Sequence, residues 1–283
     1  MEKVIIVGDI GSTKSTWWYN TDKVHELHLN GYNPLTHSPE AASQLIQALL
    51  THVGNVRIDE IWYYGAGVIN PSITHEIHNT IASFFKDSSI YVSSDLIGAA
   101  IAACEYQPGT VAILGTGSHA AVFDGKKIVQ QATSLGYILG DEGGGCDIGK
   151  ALLQSYFYNE IPEPLLEEMH IRLPDGRAGL LNGLRLAVAP NQYLADFARV
   201  AVQFQEHPWV QELVSARFKL FVKRHILPLH PSGPVHIVGS IGCIFAGLIQ
   251  HELENNGLST GHFIKNPAHR LFEIHLDHGQ KKN

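Results

Sequence analysis

The sequence is short of cysteine, of charge and of long apolar runs. Its three cysteines, Cys104, Cys146 and Cys243, lie far apart. An odd number of scattered thiols builds neither a disulfide framework nor a CxxC-type zinc or iron–sulfur site, which points to a reducing compartment. No apolar stretch approaches the roughly 18 residues that a membrane span needs. The four apolar residues Val4 to Val7 before Gly8-Asp9 are too few for a signal-peptide core, so the expected location is cytoplasmic. Charged residues are 17% of the chain, and 20 basic against 27 acidic ones leave a net charge of −7. No overall positive field therefore draws in nucleic acid or an anionic membrane. Phosphate, if bound, must be held locally, by backbone N–H groups in tight turns and by a divalent cation.

What is present is a foldable core and an excess of glycine: 45% of the 283 residues are hydrophobic and 27 are glycine. That composition excludes disorder. Val4 to Val7, a glycine-containing turn and Thr16-Trp17-Trp18-Tyr19 predict a β-hairpin, and the alternation of Val24 to Leu29 predicts a third strand. A helix is expected from Pro39, behind Ser38, to about Val53. A strand at Ile61 to Tyr64, a helix from Asn70-Pro71, a strand at Ile90 to Val92 and a small-residue helix from Asp95 follow. After Pro108-Gly109 the strand pattern restarts, with Val111 to Leu114, Ala120 to Phe123 and Ile128-Val129. Two β-β-β meanders, each with a glycine turn between its first two strands, suggest an internal duplication and two similar domains facing each other. The expected division is 1–107 and 108–283. Helices are expected at about 147–159, 192–205, 208–228 and 242–256, with a strand at Val235 to Val238. A last helix at about 266–277 is left to pack either in the second domain or back on the first.

Three turns concentrate the glycines. Gly8-Asp9-Ile10-Gly11-Ser12-Thr13-Lys14-Ser15 is not a Walker A loop, because Lys14 follows Thr13 and the chain continues as a strand. Alone it reads equally as a hairpin with a solvated lysine. Gly115-Thr116-Gly117-Ser118 repeats the arrangement, and Gly239-Ser240-Ile241-Gly242 supplies a third turn where a strand meets a helix. None is a dinucleotide fingerprint. Two glycine hairpins on opposite domains suit a polyphosphate clasped between them, with the Thr13, Thr116 and Ser118 hydroxyls as partners. Asp9, at the end of the first strand, is then available to Mg²⁺, directly or through water.

These turns, with Ser94-Asp95 opening a small-residue helix and Gly140-Asp141-Glu142-Gly143-Gly144-Gly145, resemble the N-acetylglucosamine kinase family. That family lies within the superfamily of sugar kinases, heat-shock chaperone ATPases and actin. The resemblance covers nearly the whole chain. It implies an α/β fold of two ribonuclease H-like (actin-like ATPase) domains with ATP and sugar in an interdomain cleft. The implied activity is a Mg²⁺- and ATP-dependent kinase acting on an amino sugar, first of all on the 6-hydroxyl of N-acetylglucosamine. Its ATP-binding residues would be Gly11, Ser12, Thr13, Lys14, Gly115, Thr116, Gly117, Gly239 and Ser240. Thr13 and Thr116 would meet the phosphates and Gly239 the adenosine side. Asp95 would be the catalytic base, and Asn33, Asp95, Ser118, His119, Gly136 and Asp141 would contact the sugar. The chain carries His119 where relatives often have asparagine, and Leu135 where an aromatic is common. The implied partners are sugar and ATP, with neither nucleic acid nor membrane; a homodimer is left open.

Plainer readings stand beside these. Asp95 could simply cap its helix; its place at a strand end before Gly98-Ala99-Ala100, where backbones can approach closely, favours the base. The Leu139 to Gly145 run could be an unusual turn rather than a sugar contact, and Glu142 a support within it. The 17 histidines include His75-Glu76-Ile77-His78, which lacks the HExxH spacing, and read as surface residues. Phe204, Phe218 and Phe221 read as core. The rival functions are an activator-type ATPase of the same fold, which would need cysteines for an iron–sulfur cluster, and a non-catalytic sugar or nucleotide sensor.

Overall fold

The structure, a computed structural model, describes residues 3–12 and 14–280. Thr13, assigned above to the ATP phosphates, lies outside them. Contacts divide the chain into two units, Met1–Tyr106 with Asn266–Asn283, and Gln107–Lys265.

The first unit starts with the meander β1 (Ile5–Ile10), β2 (Lys14–Asn20) and β3 (Val24–Asn30). It continues through α1 (Pro39–Val53), β4 (Glu60–Gly65), α2 (Pro71–Phe84), β5 (Ser89–Ser94) and α3 (Asp95–Cys104). The sheet order is β3-β2-β1-β4-β5, antiparallel in the meander and parallel from β1 to β5. Helix starts follow local chemistry: Pro39 and Pro71 stand where no N–H is needed, and the Asn70 side chain accepts the Ile73 N–H. One sheet face carries Ile6, Ile10, Trp17 and Tyr63 into a core with Leu45, Leu49, Ile77 and Ile81 of α1 and α2.

The second unit repeats the meander as β6 (Pro108–Leu114), β7 (Ser118–Asp124) and β8 (Ile128–Gln131). A helical block follows: α4 (Gly136–Leu139), α5 (Gly145–Phe157), α6 (Glu163–Arg172), α7 (Gly176–Leu186), α8 (Pro190–Asp196), α9 (Ala198–Gln203) and α10 (Pro208–Phe221). Then come β9 (Val235–Val238), α11 (Ser240–Ile244), α12 (Ala246–Glu254) and β10 (Thr260–Ile264), completing a sheet of order β10-β9-β6-β7-β8. Phe218 and Phe221 are buried in its core and Phe204 packs against it. The chain returns to the first unit as α13 (Pro267–Gln280), which packs on β1, β2 and α3.

The helical block departs from the sequence reading. The expected helix 192–205 is broken at Phe197, where α8 presses its Leu194 carbonyl onto α5 so closely that a Cβ on Gly149 would sit 2.0 Å from it. The expected helix 208–228 leaves α geometry after Phe221, with a π turn over Val222–Ile226 and a 3₁₀ turn over Leu227–Leu229. Pro228 accounts for this, since its ring cannot sit in an α-helix against the carbonyl of Arg224. The helix 242–256 is divided at the buried Phe245, and α6, α7 and β10 were not expected.

Candidate active site

In the first unit the parallel strands β1, β4 and β5 end side by side. Asp9 pairs in register with Tyr64, and Tyr64 with Ser93. Asp9 is therefore two strand spacings, about 10 Å, from the end of β5 where Asp95 begins α3. The carboxyl ends of parallel strands are where open α/β sheets place ligands. Asp9 alternates with Gly8 and Ile10, whose face meets Trp17, so it stands on the opposite face, the one that α3 and α13 cover. On that face a Cβ on Gly98 would come within 2.9 Å of Tyr64, the close approach read from the small-residue helix.

Asp95 is not the helix cap. Ser94 takes that role, its Oγ accepting the Ile97 N–H at 3.3 Å, and Asp95 is the first helical residue, with Oδ1 accepting the Leu96 N–H at 2.8 Å. Burial pushes Asp9 up to about 7, the negative charge of Asp95 adds to the rise, and Lys14 opposes it. A carboxyl in this state fits a dication that would relieve both effects. Among the described residues no three His, Cys, Asp or Glu converge as a metal cage. Mg²⁺ commonly takes one or two carboxylates with substrate phosphates, so Asp9 fits as one ligand and not as a complete site.

The hairpin turn between β1 and β2 is tied internally. The Gly11 N–H donates to the Lys14 carbonyl at 3.0 Å, and the Tyr32 N–H to the Gly11 carbonyl at 3.0 Å. The Asn33 side chain donates to Ser12 Oγ at 2.9 Å, while its Oδ1 accepts the Leu35 N–H at 2.9 Å. Gly67, at φ 75°, lies where any Cβ would strike that Oδ1. Asn33 and Ser12 are thus brought together, and Gly67, in a turn that the sequence offers only as the end of a strand, leaves room for the Asn33 side chain.

In the second unit three turns converge on the end of β6. The Gly115 N–H closes its own hairpin onto the Gly117 carbonyl at 3.0 Å, and Gly145 and Cys146 donate back to Gly115 and Thr116, each at 2.8 Å. A Cβ on Gly144 would lie 2.6 Å from Gly117 backbone, and one on Gly239, at φ 111°, would lie 2.5 Å from the Leu114 carbonyl oxygen. Gly144 and Gly239 are thus required by close packing, whereas a Cβ on Gly115 would meet nothing within 4 Å. Since the Gly11 and Gly115 N–H groups close their own hairpins, they are not the unblocked donors the sequence suggested.

Asp141 lies beside this junction. Gly117 has no side chain where a Cβ would sit 2.5 Å from Asp141 Oδ2. Burial raises Asp141 above the usual carboxylate range, Lys150 and His225 oppose the rise, and Glu142 adds to it. Glu142 is buried. Despite that burial, hydrogen bonds from His225 Nε2 at 2.7 Å and from Arg224, with its backbone contact, hold it down at about 2. Ser118 is buried and its Oγ has no partner among the described residues; His225 Nδ1 is likewise unpartnered among them. His119 is half-buried, 3.4 Å from Gln131 Oε1. Gly136, at φ 67°, opens α4, and Thr116 is exposed. Ser240 opens α11 directly after Gly239. Asp147, Arg217, Arg224 and His225 were missed in the sequence, since 70 to 83 residues separate the partners and no motif joins them.

The cysteines bear on the rivals. All three are free, Cys104 and Cys146 are buried, and burial pushes both thiols up to about 11, which suits inert core residues. No helix among the described residues is long and apolar enough to cross a membrane.

No protein-family model and no curated protein matches the sequence. Solved structures do. The chain is similar to a putative N-acetylglucosamine kinase from Porphyromonas gingivalis, at 29% identity and TM-score 0.91, over 97% of this chain and 99% of that one. It shares its fold with a ROK family glucokinase from Streptomyces griseus in complex with glucose and AMPPNP, at 13% identity and TM-score 0.55, over 98% and 99% of the two chains. It also shares it with MreB 5 of Spiroplasma citri bound to AMPPNP, at 11% identity and TM-score 0.55, over 100% and 98%. The architecture is that of the actin-like ATPases, with two ribonuclease H-like α/β domains. Within that class the resemblance to the N-acetylglucosamine kinase family, carried in the sequence by its glycine turns and acidic loops, is borne out in the structure.

Proposed function

We propose that the chain transfers the γ-phosphoryl group of ATP to the 6-hydroxyl of N-acetylglucosamine, with Asp95 as general base. By class it is an ATP-dependent carbohydrate kinase, supported by its similarity to a putative N-acetylglucosamine kinase over nearly all of both chains. The observation that carries the reading is the placement of Asp95. It stands at the first position of α3, at the ends of parallel strands, with Ser94 making the cap bond. A carboxylate so placed can take the acceptor hydroxyl proton as that oxygen bonds to the γ-phosphorus. The bond from that phosphorus to the β,γ-bridging oxygen breaks, and ADP leaves with the electron pair.

The other roles follow the residue chemistry. Ser12, Thr13, Lys14 and Thr116 would meet the phosphates, Gly11, Gly115 and Gly117 shape their turns, and Gly239 and Ser240 shape the adenosine side. Asn33, Ser118, His119, Gly136 and Asp141 would surround the sugar. Ser118 supports this, because a buried hydroxyl without a partner costs about 1–3 kcal/mol, which a sugar hydroxyl would recover. Asp9 would hold Mg²⁺, which when bound supplies charge neutralisation between the phosphates.

The test is ADP release across N-acetylglucosamine, N-acetylmannosamine, glucosamine and glucose. N-acetylglucosamine should give the highest kcat/KM. Asp95→Asn should bind sugar and ATP yet lose about 10²–10⁴-fold in kcat, the usual contribution of a positioned base. Release on none of the sugars would overturn the reading, and near-normal turnover in the variant would remove Asp95 from the role.

A further inference from the structure

Asp141 adopts a left-handed backbone conformation, φ 59°, which residues with a side chain adopt only occasionally. Four of the six residues from Gly140 to Gly145 are glycine, so the loop has little stiffness of its own. Its far end is tied to the 115–118 hairpin by the Gly145 and Cys146 N–H groups. Its middle is gripped from α5, braced by α10, and from the π turn after α10.

The principal grip is Asp147, in the first turn of α5. Asp147 Oδ2 accepts the Gly143 N–H at 2.9 Å and Arg217 Nε at 2.7 Å, while Oδ1 accepts Arg217 Nη2 at 2.7 Å. Only 7% of the Asp147 side chain is exposed, against 27% for Arg217. A guanidinium fork on both oxygens fixes the rotation of the carboxylate as well as its place, which a point charge does not do. Arg224 and His225, neighbours in the π turn, hold Glu142 as a second grip.

We infer that the Arg217–Asp147 fork is a positioning device for the sugar acceptor. It orients the carboxylate that holds the Gly143 N–H, and so keeps Asp141, two residues earlier, in the conformation that meets the sugar. Arg217 is a positioning residue. The inference rests on the reading of Asp141 as a sugar contact.

Two variants of the full chain test it: Arg217→Lys, and Arg217→Met combined with Asp147→Asn. Arg217→Met alone would strand a buried carboxylate and invite unfolding; the pair removes both charges and still offers an amide oxygen to Gly143. In the folded double variant KM for N-acetylglucosamine should rise about tenfold, as when an active-site group is displaced from a distance, with KM for ATP unchanged. Arg217→Lys should show a smaller rise of the same kind. Amide hydrogen exchange over residues 140–146 should quicken in the double variant while β6 and β9 keep their protection. A folded double variant with unaltered loop exchange, with unaltered sugar KM, or with sugar and ATP KM raised alike overturns the inference. The exchange measurement needs no turnover. A wild-type protein that phosphorylates no sugar would defeat the kinase reading, whereas unchanged loop exchange defeats the fork.

Discussion

Asp9 shows how one buried carboxyl can set a cost on the folded state. Its carboxyl is raised from 3.8 to about 7, by burial first and by Asp95 second. Between pH 4 and 7 the folded protein keeps a proton there that the unfolded chain has released, so this group's contribution to stability falls as pH rises through that window and stays low above it. Asp9→Asn should therefore raise the melting temperature of the ligand-free protein more at pH 8 than at pH 5, as read by thermal unfolding at the two values. An equal gain at both would show that the Asp9 charge is not the cause. Glu142 runs the other way: its lowered pKa gives stability that is present above about pH 4.5 and is lost as pH falls toward 2. Asp9 and Asp95 could be found from sequence because Asp9 lies near the end of a strand before a glycine turn and Asp95 directly follows a strand and opens a small-residue helix. Arg217, Arg224 and His225 could not, because what identifies them is a partner on another helix or loop.

At the scale of elements, the order of strands and helices up to α3 was legible because each strand is a short apolar run stopped by glycine, proline or a capping residue. The helical block of the second unit was read less well. The weakly patterned Glu163–Arg172 gives no strong period, Gly176, at φ 51°, gives α7 no start signal, and the break near Phe197 falls where α8 packs on Gly149. Glycine positions were legible while their reason was not. The 140–145 loop read as a sugar contact and the Gly239 turn as the adenosine side, and at Gly144 and Gly239 the structure adds a packing reason, backbone against backbone. Gly144→Ala should force the 115–118 and 140–145 turns apart and cost about 1–3 kcal/mol, as overpacking does, seen as a lower melting temperature. Gly247→Ala is the control: it lies in α12 with open space around its would-be Cβ and should be neutral or stabilise by up to about 1 kcal/mol. Matching behaviour of the two variants would remove the packing explanation.

Across the whole molecule, α13 is the part whose place the local sequence says least about. Its Leu271, Phe272 and Ile274 are buried, and His275 stacks on Trp62 at 3.8 Å between ring centres and meets the Tyr64 hydroxyl at 2.7 Å. Trp18 packs on its His269, and Arg270 pairs with Glu105 at the end of α3. Burying a large apolar side chain contributes about 1.5–3 kcal/mol, and domains are stable by only about 5–15 kcal/mol. Ending the chain at Asn266 should therefore unfold the first unit. Its three tryptophans should emit at longer wavelength, and limited proteolysis should leave a resistant fragment within 107–265. A resistant first unit would show that the helix is dispensable.

Because α13 closes a unit that begins at the other terminus, that unit is interrupted by 107–265, which is contiguous. During synthesis the sheet of the first unit leaves the ribosome long before its covering helix does, with Trp18, Trp62 and Tyr64 on the waiting face. The second unit, whose partners all lie within one uninterrupted segment, can complete its core first. The order of birth of the two units is thus the reverse of the order in which they can finish.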